Sequence, residues 1–397
     1  MRICLVSTTY PPRTGGLETH IATLSRTLAE HGNAVTVLTN RDSADQPERS
    51  DDHGVRVLRT GALLHPVTGD DQLVPWETAL FGLLGDVELL LRGEEFDVIH
   101  THTQAALLLA ALAGLPHRAP LVASFHETDP QLDPCGTERS RFILRQAGAE
   151  LLLTGSHAFA TQAADPRSIR TVHHGLPDPG APEPDRHLAR ARLRDLAGIP
   201  TDGTLITLVG RFKPRKGQHR LLDAYLRMRQ RDRTRLLLLG SCNSGDTQYL
   251  VRLHAYLNDH GLGERVTILR DVPPEARDLA WAATDIATQP STREGLGLAA
   301  VEAMLAATPV VATDTDGLRE VVTPDTGLLI DTHDPVAYAT ALDTLVADPS
   351  RRTLLGSAGR ARALDRFSLD RAVRQTLGVY REARHLHPAT RTGRALV

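Results

Sequence analysis

Residues 2–39 read RICLVSTTYPPRTGGLETHIATLSRTLAEHGNAVTVLT, and the pattern of this segment predicts the fold class. An apolar, strand-like run stands at each end of it. Between these runs Ile21, Leu24 and Leu28 recur at helical spacing, and Gly32 follows them as a C-cap. Two buried strands joined by a helix predict a parallel α/β sheet.

The same alternation of strands and helices continues along the chain in two series. Residues 173–187, HHGLPDPGAPEPDRH, are rich in Pro, Gly and Asp and predict the linker between the series. Further strands of the first series are predicted at 55–60, 96–102, 120–126 and 149–156. Strands of the second series are predicted at 204–211, 234–241, 265–271, 285–291 and 309–314.

From these two series we predict two Rossmann-like, doubly wound α/β domains that face an interdomain cleft, which suits a chain of 397 residues. The N-terminal domain covers 1–175 and the C-terminal domain covers 176–368. Residues 369–397 are predicted to form a helix that packs back toward the N-terminal domain, followed by a frayed tail. Ligands of such sheets bind at the carboxyl ends of strands, so the motifs that follow strands carry the functional hypotheses.

Composition excludes several classes of protein. A formal net charge of −3 gives no electrostatic basis for binding nucleic acid. Three widely spaced cysteines without a CxxC pair support neither a zinc knuckle nor a disulfide framework. The N-terminal apolar run ends in polar residues and prolines, unlike a signal peptide, and the apolar run at 105–115 is too short to span a bilayer. We therefore expect a cytoplasmic protein without an integral membrane segment.

A basic turn, GRFKPRKG at 210–217, follows a predicted strand and precedes an amphipathic helix. It contains Lys213 and Lys216, which are the only lysines of the chain, together with Arg211. Cations beside a helix N-terminus form an anion site that suits a diphosphate. The alternative is a solvated basic turn, and the concentration of both lysines at a strand's carboxyl end favours the anion site.

The segment PSTREGLGLAAVEAM at 290–304 places Glu294 in a glycine-rich loop and Glu302 on the helix that follows. Carboxylates are good acceptors for the hydroxyls of a sugar or a ribose. The loop also exposes backbone amides to a second phosphate, namely those of Gly295, Leu296, Gly297 and Leu298. The alternative, two solvated glutamates, leaves the flanking glycines unexplained.

Two features of the N-terminal half are weaker. Gly15 and Gly16 precede a helix and would admit a phosphate, although no GxGxxG motif is present. His126 follows a buried strand, where it would contact a sugar hydroxyl or move a proton, or would be an ordinary loop histidine. His100 and His102 face the same side of a strand, and we predict structural roles for them rather than metal ligation.

Three segments together resemble the retaining glycosyltransferases of family 4 (GT4), which have the GT-B fold. They are GGLETH at 15–20, VGRFKPRKG at 209–217 and STREGLGLAAVEAMLAATPVVATDTDGLREVV at 291–322. The resemblance covers nearly the whole chain. It implies a metal-independent, retaining transfer of a hexosyl or N-acetylhexosaminyl group from a nucleotide sugar to a hydroxyl of a small acceptor. Family frequency favours UDP, and the implied mechanism is front-face attack through an oxocarbenium-like state.

The resemblance also implies a role for each matching residue. His126, Glu294, Arg211 and Lys216 would be catalytic: Arg211 and Lys216 neutralise the leaving diphosphate, Glu294 holds the transferred sugar, and His126 contacts the region of its 6-hydroxyl. Glu302 would hold the ribose hydroxyls. The other contacts with the nucleotide sugar would come from Gly15, Gly16, Arg270 and the amides of 295–298. No metal ligand is implied.

Two positions depart from the family pattern, and the acceptor stays open. Leu296 stands where an aromatic residue is usual, which is a minor change. Asp316 stands where the first of two glycines is usual, which leaves the donor sugar undecided. Acidic residues after His126, including Glu127, Asp129 and Asp133, would suit a cationic acceptor such as an aminocyclitol in aminoglycoside-type antibiotic biosynthesis. The alternatives are an inositol phosphate, for which Arg139, Arg141 and Arg145 are candidates, and a lipid-linked acceptor beside the apolar segment 78–93.

Rival functions keep the fold and change the activity. A sugar phosphorylase would depend on free phosphate, and a nucleotide-sugar 2-epimerase would form product without an acceptor. A non-catalytic GT-B partner subunit is the alternative from another class. The complete set of His126, Glu294, Glu302, Arg211 and Lys216 argues against such a subunit, because a binding module does not need all of them.

Overall fold

The computed structural model of the protein shows two compact units. It describes residues 1–13, 16–41, 43, 45–60, 94–102, 119–125, 147–160, 168–180, 185–200, 202–242, 247–331 and 334–387. One unit consists of Met1–Gly175 together with Leu369–Val397, and the other of Leu176–Ser368. We call them the N-terminal and the C-terminal domain.

The N-terminal domain is built on an eight-stranded sheet with the order β3-β4-β2-β1-β5-β6-β7-β8. All neighbouring strands run parallel except β3, which is antiparallel to β4. The strands are β1 Arg2–Val6, β2 Ala34–Asn40, β3 Arg49–Asp52, β4 Val55–Thr60, β5 Val98–Thr101, β6 Leu121–Phe125, β7 Leu151–Thr154 and β8 Ile169–Thr171. The described helices before residue 176 are α1 Gly16–Glu30 and α2 His157–Ala160.

The βαβ unit at the start of the chain forms as its sequence pattern predicts. Central strand β1 is buried on both faces and pairs with β2 in the register Ile3↔Val35. Helix α1 buries Ile21 and Leu28 against the sheet, and Gly32 follows it with φ +77°. That left-handed conformation is the one glycine adopts without strain at a helix C-terminus.

The C-terminal domain is built on a six-stranded parallel sheet with the order β11-β10-β9-β12-β13-β14. Its strands are β9 Thr204–Val209, β10 Thr234–Gly240, β11 Val266–Arg270, β12 Ile286–Gln289, β13 Val310–Thr313 and β14 Gly327–Ile330. Its helices are α3 Arg186–Ala197, α4 Gln218–Arg227, α5 Thr247–Asp259, α6 Pro274–Ala283, α7 Leu298–Leu305, α8 Asp316–Val321, α9 Pro335–Ala347 and α10 Pro349–Arg366.

Side chains of one strand alternate between two cores in this domain. Leu236 and Leu238 of β10 join the core on one face of the sheet, where α4 and α9 pack. Leu237 and Leu239 join the core on the other face, where α6 and α7 pack. Burial on both faces is the reason that the strands of this domain are nearly continuous apolar runs.

Strand order reverses between β9 and β12, which are neighbours in the sheet. The chain lays down β10 and β11 on one side of β9, and then β12, β13 and β14 on the other side. Ligands of open α/β sheets bind at the carboxyl ends of strands where the order reverses. Both motifs of the C-terminal half follow these two strands, since 210–217 comes after β9 and 290–297 after β12.

The last described helix, α11 Leu369–Leu386, returns to the N-terminal domain. Its buried residues include Val373 and Tyr380, which share a core with Ile3, Leu5 and Val98 of the central strands. None of the helices in the described part of the chain is long and apolar enough to cross a membrane.

Candidate functional site

Two loops meet at the carboxyl ends of β9 and β12. A 3₁₀ turn, Pro214–Lys216, follows β9 and ends at Gly217, whose φ is +76°. A Cβ on Gly217 would clash with the carbonyl oxygen of Pro290 at the start of the second loop. The amide of Thr292 donates to the carbonyl of Arg215 at 2.9 Å, so the two loops are joined through their backbones.

Lys216 and Glu294 form an ion pair where the loops meet. The Lys216 ammonium donates to Glu294 Oε1, and the side chains are only 16% and 7% exposed. Ser291 Oγ donates to the same oxygen at 2.7 Å. In the part of the chain that the structure describes, Glu294 Oε2 accepts no hydrogen bond, so this oxygen has its full capacity for a hydroxyl ligand.

The surroundings of Glu294 keep its carboxylate ionised. Burial alone raises its pKa, but the charge of Lys216, the hydrogen bonds from Lys216 and Ser291 and the charge of Arg215 together outweigh burial. The pKa of Glu294 therefore lies below its ordinary value. At neutral pH this side chain acts as a hydrogen-bond acceptor toward a ligand.

Ser291 is held in turn by the neighbouring strand. Its side chain is fully buried, and Thr313 at the end of β13 donates through its hydroxyl to the Ser291 carbonyl. Gln289, at the end of β12, donates to the carbonyl of Val209 at 3.0 Å. These contacts fix the position of the loop that carries Glu294 relative to β9 and β13.

Glu302 lies on α7 in different surroundings. Trp281 of α6 donates its indole N–H to Glu302 Oε2 at 2.9 Å. The nearest cation is Arg277, whose guanidinium is 3.9 Å from Oε1. Burial raises the pKa of Glu302 above its ordinary value, despite the opposing effects of Arg277 and of the Trp281 hydrogen bond.

The backbone amides at the start of α7 are arranged as in an anion-binding site. Gly297 precedes the helix with φ +85°, and no side chain caps it. Within the described residues, the amides of 295–299 donate no hydrogen bond, and the first donors toward the preceding turn are Ala300 and Val301. Free amides at a helix N-terminus bind phosphate oxygens well, and the phosphate contact of 295–298 stays a prediction.

Gly317 is the glycine that this loop requires, and Asp316 is not in its way. A Cβ on Gly317 would clash with the carbonyl oxygens of Glu294 and Gly295. Asp316 begins α8, is 80% exposed and lies 3.2 Å from Arg319. The departure from the family pattern therefore leaves the close packing of α8 on the Glu294 loop intact.

Arg211 and Arg270 lie at the carboxyl edge of the same sheet. Arg211 is exposed after β9, and its carbonyl accepts a hydrogen bond from the Gln218 side chain at 2.9 Å. Its guanidinium makes no hydrogen bond or ion pair to the residues that the structure describes. Arg270 ends β11, and its Nε is 3.1 Å from Asp271. The edge thus combines cations, two carboxylates and free amides, which suits a ligand with both phosphates and hydroxyls.

Two family profiles match the chain. The profile described as Glycosyl transferases group 1 matches residues 190–362, and the profile described as Glycosyltransferase Family 4 matches residues 14–177. The chain is also 33% identical to the D-inositol 3-phosphate glycosyltransferase of Xylanimonas cellulosilytica, over 94% of this chain and 93% of that protein. The chain belongs to glycosyltransferase family 4.

Solved structures share the fold of this glycosyltransferase. Sucrose-phosphate synthase from Thermosynechococcus elongatus has a TM-score of 0.80 at 22% identity, over 96% of this chain and 99% of that one. HepE of Anabaena, solved in complex with UDP-glucose, has a TM-score of 0.75 at 22% identity, over 95% and 100% of the two chains. The predicted GT-B fold is confirmed. The protein is a transferase that takes a sugar from a nucleotide sugar.

The site residues predicted in the N-terminal domain of the glycosyltransferase are described only in part. Gly16 is the first residue of α1, is exposed, and has open space where a Cβ would lie. Gly15, His126, Glu127 and Asp129 lie outside the described residues, as do Asp133, 78–93 and the arginines at 139, 141 and 145. Their roles stay predictions.

His100 has a structural environment. It is buried, with Nδ1 2.7 Å from the Tyr380 hydroxyl and Nε2 2.8 Å from Ser124 Oγ. Its ring lies 4.0 Å from that of His102. Because Tyr380 belongs to α11, His100 ties the last helix to the sheet.

Three residues that the sequence pattern does not single out hold the glycosyltransferase's two glutamates in place, namely Ser291, Thr313 and Trp281. Ser291 stands only three residues before Glu294, and that spacing was an available signal. Trp281 is one of two tryptophans in the chain, but it lies 21 residues from Glu302. Such a distant contact follows from the packing of α6 beside α7.

Proposed function

We propose that this glycosyltransferase moves a hexosyl or N-acetylhexosaminyl group from a UDP-sugar to a hydroxyl of an inositol phosphate, with retention of configuration and without a metal ion. The observation that carries the proposal is the buried ion pair of Lys216 with Glu294 beside the free amides of 295–299. This arrangement offers acceptors for sugar hydroxyls and donors for a diphosphate at adjacent positions.

The C-terminal domain supplies the donor site in this proposal. Glu294 accepts hydrogen bonds from hydroxyls of the transferred sugar through Oε2, and Glu302 accepts from the ribose. Arg211, Lys216 and the amides of 295–299 bind the diphosphate, and exposed Arg270 lies near the base. HepE, which has the same fold, was solved with UDP-glucose, and this supports UDP as the nucleotide.

The chemical step exchanges one C–O bond for another. The bond from the anomeric carbon to the diphosphate oxygen breaks, and the acceptor oxygen bonds to that carbon on the same face. The acceptor proton passes to the departing diphosphate. Negative charge grows on the diphosphate during this step, and fixed cations and amides stabilise it without having to reorganise. The positive charges of Arg211 and Lys216 stabilise the diphosphate in place of a metal ion.

The acceptor belongs to the N-terminal domain in this proposal. The relative from Xylanimonas cellulosilytica is named a D-inositol 3-phosphate glycosyltransferase, and its similarity extends over 94% of this chain. This similarity favours an inositol phosphate over an aminocyclitol. Because both lysines of the chain lie in the C-terminal domain, any cationic side chains of the N-terminal domain that bind the acceptor phosphate are arginines or histidines.

A direct assay tests the proposal. Purified protein is incubated with UDP-glucose or UDP-N-acetylglucosamine and with D-inositol 3-phosphate or an aminocyclitol, in buffer containing EDTA. We expect a glycosylated inositol phosphate by mass spectrometry, with the α configuration by NMR. Transfer to the aminocyclitol alone would refute the proposed acceptor, a β product would refute retention, and loss of activity in EDTA would refute metal independence.

Two further controls separate the rival activities. Turnover that requires free phosphate would indicate a phosphorylase. A changed sugar nucleotide formed without any acceptor would indicate a 2-epimerase. A non-catalytic partner subunit would bind UDP but glycosylate no acceptor. A second protein would become active when this protein is added.

A further inference from the structure

We propose that Trp281 is a positioning residue that presents Glu302 to the ribose of the donor, and that it thereby sets a preference for ribonucleotide over 2′-deoxyribonucleotide donors. This inference rests on the proposed function, in which Glu302 holds the ribose hydroxyls. It adds a residue on a separate helix whose effect on specificity is indirect.

The geometry fixes one oxygen of the carboxylate. Trp281 is 4% exposed and packs in the core on the α6 and α7 face of the sheet, together with Val301 and Leu305. A large ring in a close-packed core does not turn freely, so its N–H has one direction. That N–H donates to Glu302 Oε2 at 2.9 Å, which restrains the position of this oxygen and limits rotation of the carboxylate.

The second oxygen is left for a ligand. Glu302 Oε1 is 3.9 Å from the Arg277 guanidinium, which is beyond hydrogen-bond distance. It accepts no hydrogen bond from the residues that the structure describes. The Glu302 side chain is 22% exposed, and its helix follows β12 at the carboxyl edge of the sheet, where ligands of such sheets bind.

Removing the indole N–H should affect hydroxyl recognition selectively. Without it the carboxylate is free to rotate toward Arg277, and Oε1 loses its direction. The diphosphate contacts of Lys216 and of the amides at 295–299 do not involve the Trp281 side chain and would remain. The loss should therefore be large for a ligand with a 2′-hydroxyl and small for one without it.

The test compares UDP with 2′-deoxy-UDP by calorimetry in the wild type and in Trp281→Phe. We expect the wild type to prefer UDP by about tenfold, the size of one hydrogen bond to a charged group. Trp281→Phe should bring this ratio close to one by weakening UDP, with little change for 2′-deoxy-UDP. An unchanged ratio, or equal weakening of both nucleotides, would overturn the proposal.

Two further variants separate positioning from folding. Tyr225→Phe removes another buried aromatic hydrogen bond, to Thr234 at the opposite end of the sheet, and should lower the melting temperature without changing the ratio. In a Glu302→Ala background, Trp281→Phe should have no further effect on the ratio. If it has one, Trp281 does not act through Glu302.

A fluorescence measurement covers the case in which Trp281→Phe does not fold. Trp76 and Trp281 are the only tryptophans, so Trp76→Phe leaves Trp281 as the single emitter. UDP should change its emission more than 2′-deoxy-UDP does at equal saturation, and equal changes would overturn the proposal. If the wild type binds no UDP at all, the proposed function fails instead, and the two failures are distinguishable.

Discussion

Glu294 and Glu302 are the same residue type, eight positions apart, and both lie at the carboxyl edge of one sheet. Their partners differ. The carboxylate of Glu294 contacts the Lys216 ammonium and the Ser291 hydroxyl, whereas that of Glu302 contacts the uncharged indole N–H of Trp281. The pKa of Glu294 is lowered and that of Glu302 is raised. A hydrogen-bonded cation thus holds Glu294 ionised, while Glu302 has a neutral hydrogen-bond donor and only the more distant guanidinium of Arg277.

Removing the Lys216 ammonium should have the largest effect on stability and activity. Lys216→Ala leaves the Glu294 carboxylate buried without its counter-charge, which typically costs about 3–5 kcal/mol. Loss of the same ammonium from the diphosphate should lower kcat about 10²–10³-fold. Thermal unfolding and initial rates measure the two effects, and Lys213→Ala, at the only other lysine, is the matched control.

A double variant separates these two effects of Lys216. Lys216→Ala combined with Glu294→Gln removes both charges, so the free energy of unfolding should recover much of its loss while activity stays low. Should the double variant be as unstable as Lys216→Ala alone, the buried carboxylate is not the source of the instability.

The glycine behind Glu294 should give the next largest effect. Gly317→Ala places a Cβ against the Glu294 and Gly295 carbonyls, and overpacking of this kind costs about 1–3 kcal/mol. The loop should shift, and kcat should fall with it. Asp316→Gly next to it changes an exposed side chain and should stay within about 0.5 kcal/mol. Equal effects of the two variants on the melting temperature would contradict this account.

The contributions of the two glutamates to stability should change with pH in opposite directions. The lowered pKa of Glu294 means that its contribution to stability is present in neutral buffer and is lost as the pH falls through that pKa. The raised pKa of Glu302 means that its contribution is present at low pH and is lost as the pH rises through that pKa.

Glu294→Gln should therefore destabilise the protein most in neutral buffer, and less as the pH falls. Glu302→Gln should be tolerated best above the pKa of Glu302, where the wild type carries a charge that its surroundings disfavour. Melting temperatures of the wild type and both variants between about pH 4 and pH 8 give the curves. Parallel curves for the two variants would show that the surroundings of the two carboxylates do not differ as described.

Substitution of Arg270 should have the smallest effect, because its surroundings differ from those of both carboxylates. Its side chain is 55% exposed and its ion partner is the adjacent Asp271, so Arg270→Ala should change stability by less than about 1 kcal/mol. Its contact with the base should be visible only as a modest loss of UDP affinity by calorimetry. A loss as large as that of Lys216→Ala would place Arg270 on the diphosphate.

The local pattern of apolar residues was sufficient to predict most of the fold. Strands such as β1 and β10 are continuous apolar runs because both faces are buried, and their pattern is visible in a few residues. Edge strand β3, with the sequence RSDD, has no apolar residue to signal it, and β8 is three half-buried residues long. Such strands are defined by pairing with a neighbour, which a single segment does not encode.

The candidate site divides in the same way. Arg211, Lys216 and Glu294 stand out in the sequence because each lies in a glycine-marked loop between a strand and a helix, and Glu302 because it lies on the helix after the Glu294 loop. Their roles stay predictions. Their partners do not stand out, because Thr313 and Trp281 reach the site from elements far along the chain. The ion pair of Lys216 with Glu294 spans 78 residues and depends on β9 and β12 being neighbours.

Helix α11 has a consequence for the order in which the protein matures. The ribosome completes the C-terminal domain before it makes α11, so the N-terminal core lacks Val373 and Tyr380 until α11 has been translated. The C-terminal domain, in contrast, is one uninterrupted stretch of chain and is ready to fold as it emerges. The C-terminal domain is therefore inserted in the chain between two segments of the N-terminal domain, with junctions at 175–176 and 368–369.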